Sequence, residues 1–343
     1  MADETAMAPM TEPGEPVPAR RSRLRRKSKD ELQAQLKATR ADFERQVEAA
    51  KAHIDQANER IEARTGRNLI LAILIGLVLG LALLVSLIFV KWAFVLFATL
   101  AVGFTTFELV TALRRHRRRI DVVPSVFVAA VITASAYFAD SATRWAVLLG
   151  GIAFVVVWRL VAQMAARDQR PAYEVFRDVI TSMFVQMYIP FLASFAVALV
   201  KEPDGQWWTL AFMILVVATD VGAYASGLAF GRHPMAPKIS PKKTWEGFGG
   251  AAAAAVIAGV LLGLFMLHVP WWVGVVFGLV LLGTATMGDL AESLIKRDLG
   301  IKDMSSWIPG HGGFLDRLDS ILPSAPAALA LYLIVVPLQG ALA

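Results

Sequence analysis

Cysteine is absent from the 343 residues. That excludes disulfides, thiolate metal sites and cysteine nucleophiles. Charge is scarce: 18% of residues are Asp, Glu, Lys or Arg, 56% are hydrophobic, and mean hydropathy is +0.55. A soluble domain does not have that balance, whereas a polytopic membrane protein does. A signal peptide is not expected either. About 65 polar residues precede the first apolar run, and that run is long enough to span a bilayer.

What charge there is has a pattern. Residues 1–30 are rich in Pro, Ala, Glu and Arg, carry R-R-S-R-L-R-R-K at 20–27, and read as a disordered basic tail. The cluster is either a contact for anionic lipid or an orientation signal on a solvated tail, and the second reading is favoured. Residues 31–67 read as a charged helix, with Leu32, Leu36, Phe43, Val47, Ile54 and Ile61 at roughly heptad spacing. The step from Phe43 to Val47 breaks the register, so a weak coiled coil and a lone amphipathic helix are both compatible with it.

Apolar runs of about 20 residues, the length a spanning helix needs, then follow in series. They centre on 69–90, 92–113, 122–139, 145–158, 182–200, 207–230, 248–267, 270–289 and 318–339. The chain is expected to be all-α and polytopic, with about nine transmembrane helices and a cytoplasmic N-terminal helical extension. Residues 68–181 hold the N-terminal spans, and 182–343 hold the C-terminal spans and the chemistry. The fourth span is short, and 160–181 is expected to continue it as an interfacial helix. With a cytoplasmic N-terminus, only Lys91, Arg144 and Lys201 of the 34 Lys and Arg face outward. That bias supports nine alternating crossings and puts the polar motifs on the cytoplasmic side of the cell membrane.

Two of those motifs carry candidate chemistry. In residues 220–247, Asp220 interrupts an apolar span and is a functional candidate by its cost. Gly222, Gly227 and Gly231 favour close helix packing. The loop beyond them sets Lys238, Ser240, Lys242, Lys243 and Thr244 among three prolines, a stiff cationic segment suited to polyphosphate. In residues 288–319, Asp289, Ser293 and Lys296 share one helical face. Asp316 and Asp319 are three apart and are expected to point the same way. Carboxylates converging from two helix ends fit a hard divalent cation such as Mg²⁺. The P-G-H-G-G turn at 309–313 would expose backbone N–H groups to an anion. His311 alone is weak support for acid–base work. Glu108 stands outside these motifs and is expected to pair with Arg114 or Arg115 near the inner interface. These residues point to metal-assisted phosphoryl or nucleotidyl transfer on a lipid at the membrane surface.

The stretch S-x-x-K-R-x-x-x-x-K-D-x-S-x-x-I-P-G-H-G-G-x-x-D-R-x-D, from Ser293 to Asp319, resembles the C-terminal hallmark of the phosphatidate cytidylyltransferase (CDP-diacylglycerol synthase) family. The D-x-x-A-Y-x-x-G-x-x-F-G-R and I-S-P-K-K-T-x-E-G blocks upstream are similar to another of its stretches. The resemblance covers about 180 to the end, and the earlier spans by hydropathy alone. It implies CTP and phosphatidic acid as substrates, Mg²⁺ as cofactor, membrane lipids as surroundings and no nucleic-acid partner. By motif match, Asp289, Asp316 and Asp319 are the implied metal ligands. Asp220, Lys296, Arg297, Asp316 and Asp319 are the implied catalytic set, with Arg317 as a brace. Ser240, Lys243, Ser293, Lys302, His311, Gly312 and Gly313 are the implied substrate contacts. A homodimer is compatible with the resemblance and with the helix at 31–67.

Three rivals are weaker. A CDP-alcohol phosphotransferase would carry D-G-x-x-A-R, which is missing here. A transporter would set charges near the midplane in half-repeats, and no convincing repeat is present. A scaffold organised by residues 31–67 leaves 293–319 unexplained.

Overall fold

The computed structural model describes residues 45–46, 69–166, 170–305, 307 and 312–342. The expected tail over 1–30 lies outside these residues. So does the expected helix over 31–67, except Arg45 and Gln46, which are helical. Residues 67–343 form a compact unit of their own.

The unit is a succession of helices: α1 (Leu69–Phe89), α2 (Lys91–Arg115), α3 (Val122–Phe138) and α4 (Ser141–Ala165). Next come α5 (Ala172–Gln186), a π-helical turn (Met187–Phe191) around Pro190, and α6 (Leu192–Lys201). After α7 (Gly205–Phe230), a hairpin of β1 (Pro234–Ala236) and β2 (Ser240–Thr244) leads into α8 (Trp245–Phe265) and α9 (Trp271–Asp298). A single turn, α10 (Leu315–Leu318), precedes α11 (Ile321–Leu342). The hairpin is antiparallel, with Pro234 opposite Thr244 and Ala236 opposite Ser240.

Among the described residues, seven helical segments are long and apolar enough to cross a membrane; α1, over its part from Ile73, and α3 are shorter apolar helices. Large side chains such as Leu77, Phe89, Leu228 and Phe265 stand exposed on them. Water would not tolerate that much bare apolar surface, but hydrocarbon does, because each helix satisfies its own backbone.

Packing follows side-chain size. Phe212, Leu215, Phe277, Leu281, Ala325 and Ala328 fill the core among α6, α7, α9 and α11. Trp208 meets Phe277 and Tyr332 edge-on, at 5.7 and 5.5 Å. Where α8 crosses α9, Gly259 faces Gly274 and Gly278 faces Ala255 so closely that a Cβ on either glycine of α9 would strike backbone. Gly222 lies equally close to Gly250 and Ala254, as the small-residue spacing predicts. A second cluster, including Leu109, Leu113, Ile189, Met304 and Leu315, joins α2 and the π-turn to the segment before α10.

The helices α4 and α5 correct one expectation. The fourth helix is not short, and 160–181 is not one interfacial helix: α4 runs for 25 residues, and a new helix starts at Ala172 with Pro171 as its N-cap. The charges that suggested an interface are buried against each other. Arg159 (4% exposed) reaches Asp178 (1% exposed) at 3.3 Å, and Arg170 reaches the same carboxylate at 2.7 Å. The backbone N–H of Arg119 donates to Asp178 at 3.1 Å. Breaking a buried pair costs on the order of 3–5 kcal/mol. Asp178→Asn is therefore expected to lower the melting midpoint in detergent by at least about 6 °C. Tryptophan fluorescence during heating checks this, and an unchanged midpoint would show that the pair contributes little.

Candidate active site

The C-terminal half of α9 presents Asp289, Glu292, Ser293, Lys296 and Arg297 at one end of the bundle. Helical spacing places Ser293 under Asp289, and its Oγ donates to Asp289 Oδ1 at 3.4 Å. Lys296 forms an ion pair with Glu292, one turn back, and donates to Asp316 Oδ1 at 2.9 Å. The other oxygen of Asp316 accepts from the N–H of Gly313 at 2.8 Å and of Met304 at 3.3 Å. Gly313, the last residue of the glycine-rich stretch, thus gives its N–H to the chain's own Asp316. Gly312, at φ +79°, makes this possible; a side chain there would be strained and would crowd Asp316. His311 lies outside the described residues.

Asp316 faces Lys296 and the amides, and Asp319, in right-handed helical backbone about one turn on, is also within electrostatic reach of Lys296. Asp319 interacts across the site with Asp289 and Asp220, and more weakly with Lys296. Three carboxylates from α7, α9 and the start of the last crossing thus repel one another in one place. Lys243 forms an ion pair with Asp289, and both Lys243 and Arg317 lie within electrostatic reach of Asp220. Arg297 Nε donates to the carbonyl of Ile239 at 3.1 Å. Lys243 and Arg297 together clamp the hairpin onto α9.

Beside these groups is a cavity of about 280 Å³ between α7, the hairpin, α8 and α9. Asp220, Lys242, Lys243, Thr244 and Asp289 supply its polar lining, and Tyr224 and Phe248 part of its apolar lining. Ser240 and Lys302 are not among its lining residues; Ser240 sits in the hairpin ladder, and Lys302 is exposed on the loop after α9. Glu246 closes the turn before α8 by accepting from the N–H groups of Arg232 and His233, at 3.1 and 3.2 Å.

Sequence reasoning misses two residues. Glu292 is fully buried on Lys296, and its only local signal is the i, i+4 spacing. Glu108 overturns the expected pairing with Arg114 or Arg115. It is 2% exposed, accepts from the N–H of Leu315 at 2.8 Å and from the Ser305 hydroxyl, and lies where a Gly313 Cβ would be. Trp307 packs on Phe107 beside it, with ring centroids 5.0 Å apart. Nothing near Glu108 in the sequence announces a partner some 200 residues away.

The sequence profile of the cytidylyltransferase family matches residues 70–335. The chain belongs to the cytidylyltransferase family. Membership reaches the early helices, which the motifs alone did not cover, and begins after the N-terminal extension. A phosphatidate cytidylyltransferase of Mycobacterium bovis is 40% identical over 276 residues, 78% of this chain and 89% of that protein. The Mycobacterium leprae phosphatidate cytidylyltransferase is 37% identical over 273 residues, 77% of this chain and 88% of that one. For that of Brucella suis, identity is 44% over 125 residues, covering 36% and 46% of the two chains.

Glu108 is a bolt between α2 and the loop that carries Gly313. Each hydrogen bond to its charged carboxylate is worth about 1.5–3 kcal/mol. Glu108→Ala is expected to speed chymotryptic cleavage after Trp307 about tenfold or more in the folded, detergent-solubilised protein. Equal cleavage rates in wild type and variant would mean that the loop is held by something else.

Proposed function

We propose that this chain transfers the cytidylyl group of CTP to phosphatidic acid, giving CDP-diacylglycerol and pyrophosphate. Family membership supports the reaction class. The observation that carries the reading is the meeting of Asp220, Asp289 and Asp319 with Lys243 beside a cavity at the ends of membrane-spanning helices. A site so placed takes a water-soluble nucleotide from one side and a lipid head group from the bilayer.

A divalent cation suits the donor set. Among the described residues, no three His, Cys, Asp or Glu side chains stand close enough to hold a metal unaided. Mg²⁺ commonly binds through one or two carboxylates, with substrate phosphates and water completing the shell. Asp289 and Asp319 are the residues that would hold it, with Asp220 facing them. Asp316 is engaged by Lys296 and two backbone amides, so its role in this reading is to hold Lys296 and the glycine turn. Bound there, Mg²⁺ would draw charge from the reacting phosphates and from the leaving pyrophosphate.

The chain's own groups account for the rest. An oxygen of the lipid phosphate attacks the α-phosphorus of CTP, the bond to the α–β bridging oxygen breaks, and pyrophosphate leaves with that oxygen. Two phosphates a few ångströms apart repel strongly where water is excluded. Lys243 and Arg317 offset that repulsion on the Asp220 side, and Lys296 does so on the Asp319 side. Lys242 and Thr244 line the nucleotide's path.

The reading includes nine crossings, made by the seven long segments together with α1 and α3. Alternation then sets 31 of the 34 Lys and Arg on the side of the site, which orients it and the N-terminus to the cytoplasm of the cell membrane.

The test is turnover of labelled CTP with phosphatidic acid and Mg²⁺ in mixed micelles, beside Asp289→Asn and Asp319→Asn. Lipid-soluble label is expected from the wild type, with about 100-fold or greater loss in each variant and abolition by EDTA. Product that survives chelation would sink the metal assignment. Failure of the wild type to make CDP-lipid, with both substrates bound, would sink the substrate assignment.

A further inference from the structure

A second cavity, of about 790 Å³, lies against the last turns of α9 and shares no lining residue with the first. It forms where the loop after α2 meets α5 and the end of α9. Arg115, Arg117, Arg118 and Arg177 line it, with His116 and a single carboxylate, Asp298. Among the described residues, none of these four guanidinium groups is paired with a carboxylate. Their neighbours Arg159 and Arg170 are both committed to Asp178.

A positive loop that only oriented a helix would need charge and nothing more. This one is held in shape. Arg117 adopts a left-handed backbone at φ 67°, uncommon for a residue with a side chain. The N–H of Arg118 donates to Leu113 O at 3.2 Å, and that of Arg119 to Asp178. Arg170 donates to the carbonyl of Arg117 at 3.3 Å. The backbone that carries three of the arginines is thereby fixed, and all four line one cavity, an arrangement that suits a bound anion.

The apolar side of the groove names the source of that anion. Phe184 and Leu294 line it and are 42% and 54% exposed. Tyr173, Phe176, Ile180 and Phe184 recur at steps of three and four, so they form one exposed stripe along α5. A free polyphosphate has no use for such a stripe, whereas acyl chains below a phosphate do.

We propose that this groove binds the phosphate head group of an anionic membrane phospholipid, apart from the reaction centre. The guanidinium forks hold the phosphate, and the acyl chains lie along the stripe on α5.

Native mass spectrometry of the full-length protein, titrated in detergent with phosphatidylglycerol, tests this. Phosphatidylcholine serves as the neutral lipid and glycerol 3-phosphate as the free head group. The combined variant Arg117→Gln, Arg118→Gln, Arg177→Gln is expected to bind phosphatidylglycerol about 100-fold more weakly than wild type. Arg114→Gln, outside the groove, is expected to bind as wild type does. Should the combined variant fail to fold, Arg177→Gln alone is expected to show a loss of about fivefold. Binding of phosphatidylglycerol unchanged by these substitutions would overturn the proposal. So would glycerol 3-phosphate displacing the lipid at equal concentration, since the stripe would then contribute nothing.

Discussion

The half-buried ammonium of Lys296 is the interaction on which the site's geometry depends. It sits between Glu292, on its own helix, and Asp316, beyond a loop of some twenty residues. Ion pairs taken out of water are repaid only when geometry is good and the remaining lone pairs are satisfied. Asp316 meets that condition through the Gly313 and Met304 amides. Met304 and Gly313 are thus tied to one carboxylate, and that carboxylate is paired with a lysine on a long helix. Glu108 fastens the same loop from the opposite side, on α2.

With that anchor in place, the other charges have their positions. Asp319 follows Asp316 around the turn and is delivered to Asp289 and Asp220. The hairpin, clamped through Lys243 and Arg297, closes over the same end of α9. One helix therefore separates two kinds of electrostatics. On one part of its surface Lys296 is ion-paired with Glu292 and Asp316; on the other, three carboxylates lie within electrostatic reach of one another, with Lys243 paired to Asp289. The first kind gives rigidity. The second is unstable by itself, as expected where ligands complete the site.

The helices were legible in the sequence because hydropathy is local. The charge-free run at 69–90 is α1, and the run at 122–139 is α3 within a residue or two. Asp289, Lys243 and Asp220 stand out in the sequence because a charge set in apolar or proline-stiffened sequence is costly unless paired, and the fold brings all three to one cavity. Two readings went wrong for the same reason. Residues 160–181 read as one interfacial helix, and Glu108 was matched to the nearby Arg114 or Arg115, because a charge reads as solvent-seeking until its partner is known. Those partners lie 19 residues away for Arg159, and in the far loop for Glu108. No periodicity encodes such pairings.

The Lys243–Asp289 pair bears on how a site of this kind avoids being locked by its own charges. Without substrate, the ammonium of Lys243 offsets part of the repulsion among Asp289, Asp220 and Asp319. In the proposed reaction, a cation held by Asp289 and a phosphate beside Lys243 would give each charge one opposite neighbour in place of another, so neither would be left unpaired in a partly water-excluded site. Lys296 has no such freedom, because its two carboxylates are held by helix and loop alike. This asymmetry separates a lysine that can follow the substrate from one that keeps the site in shape.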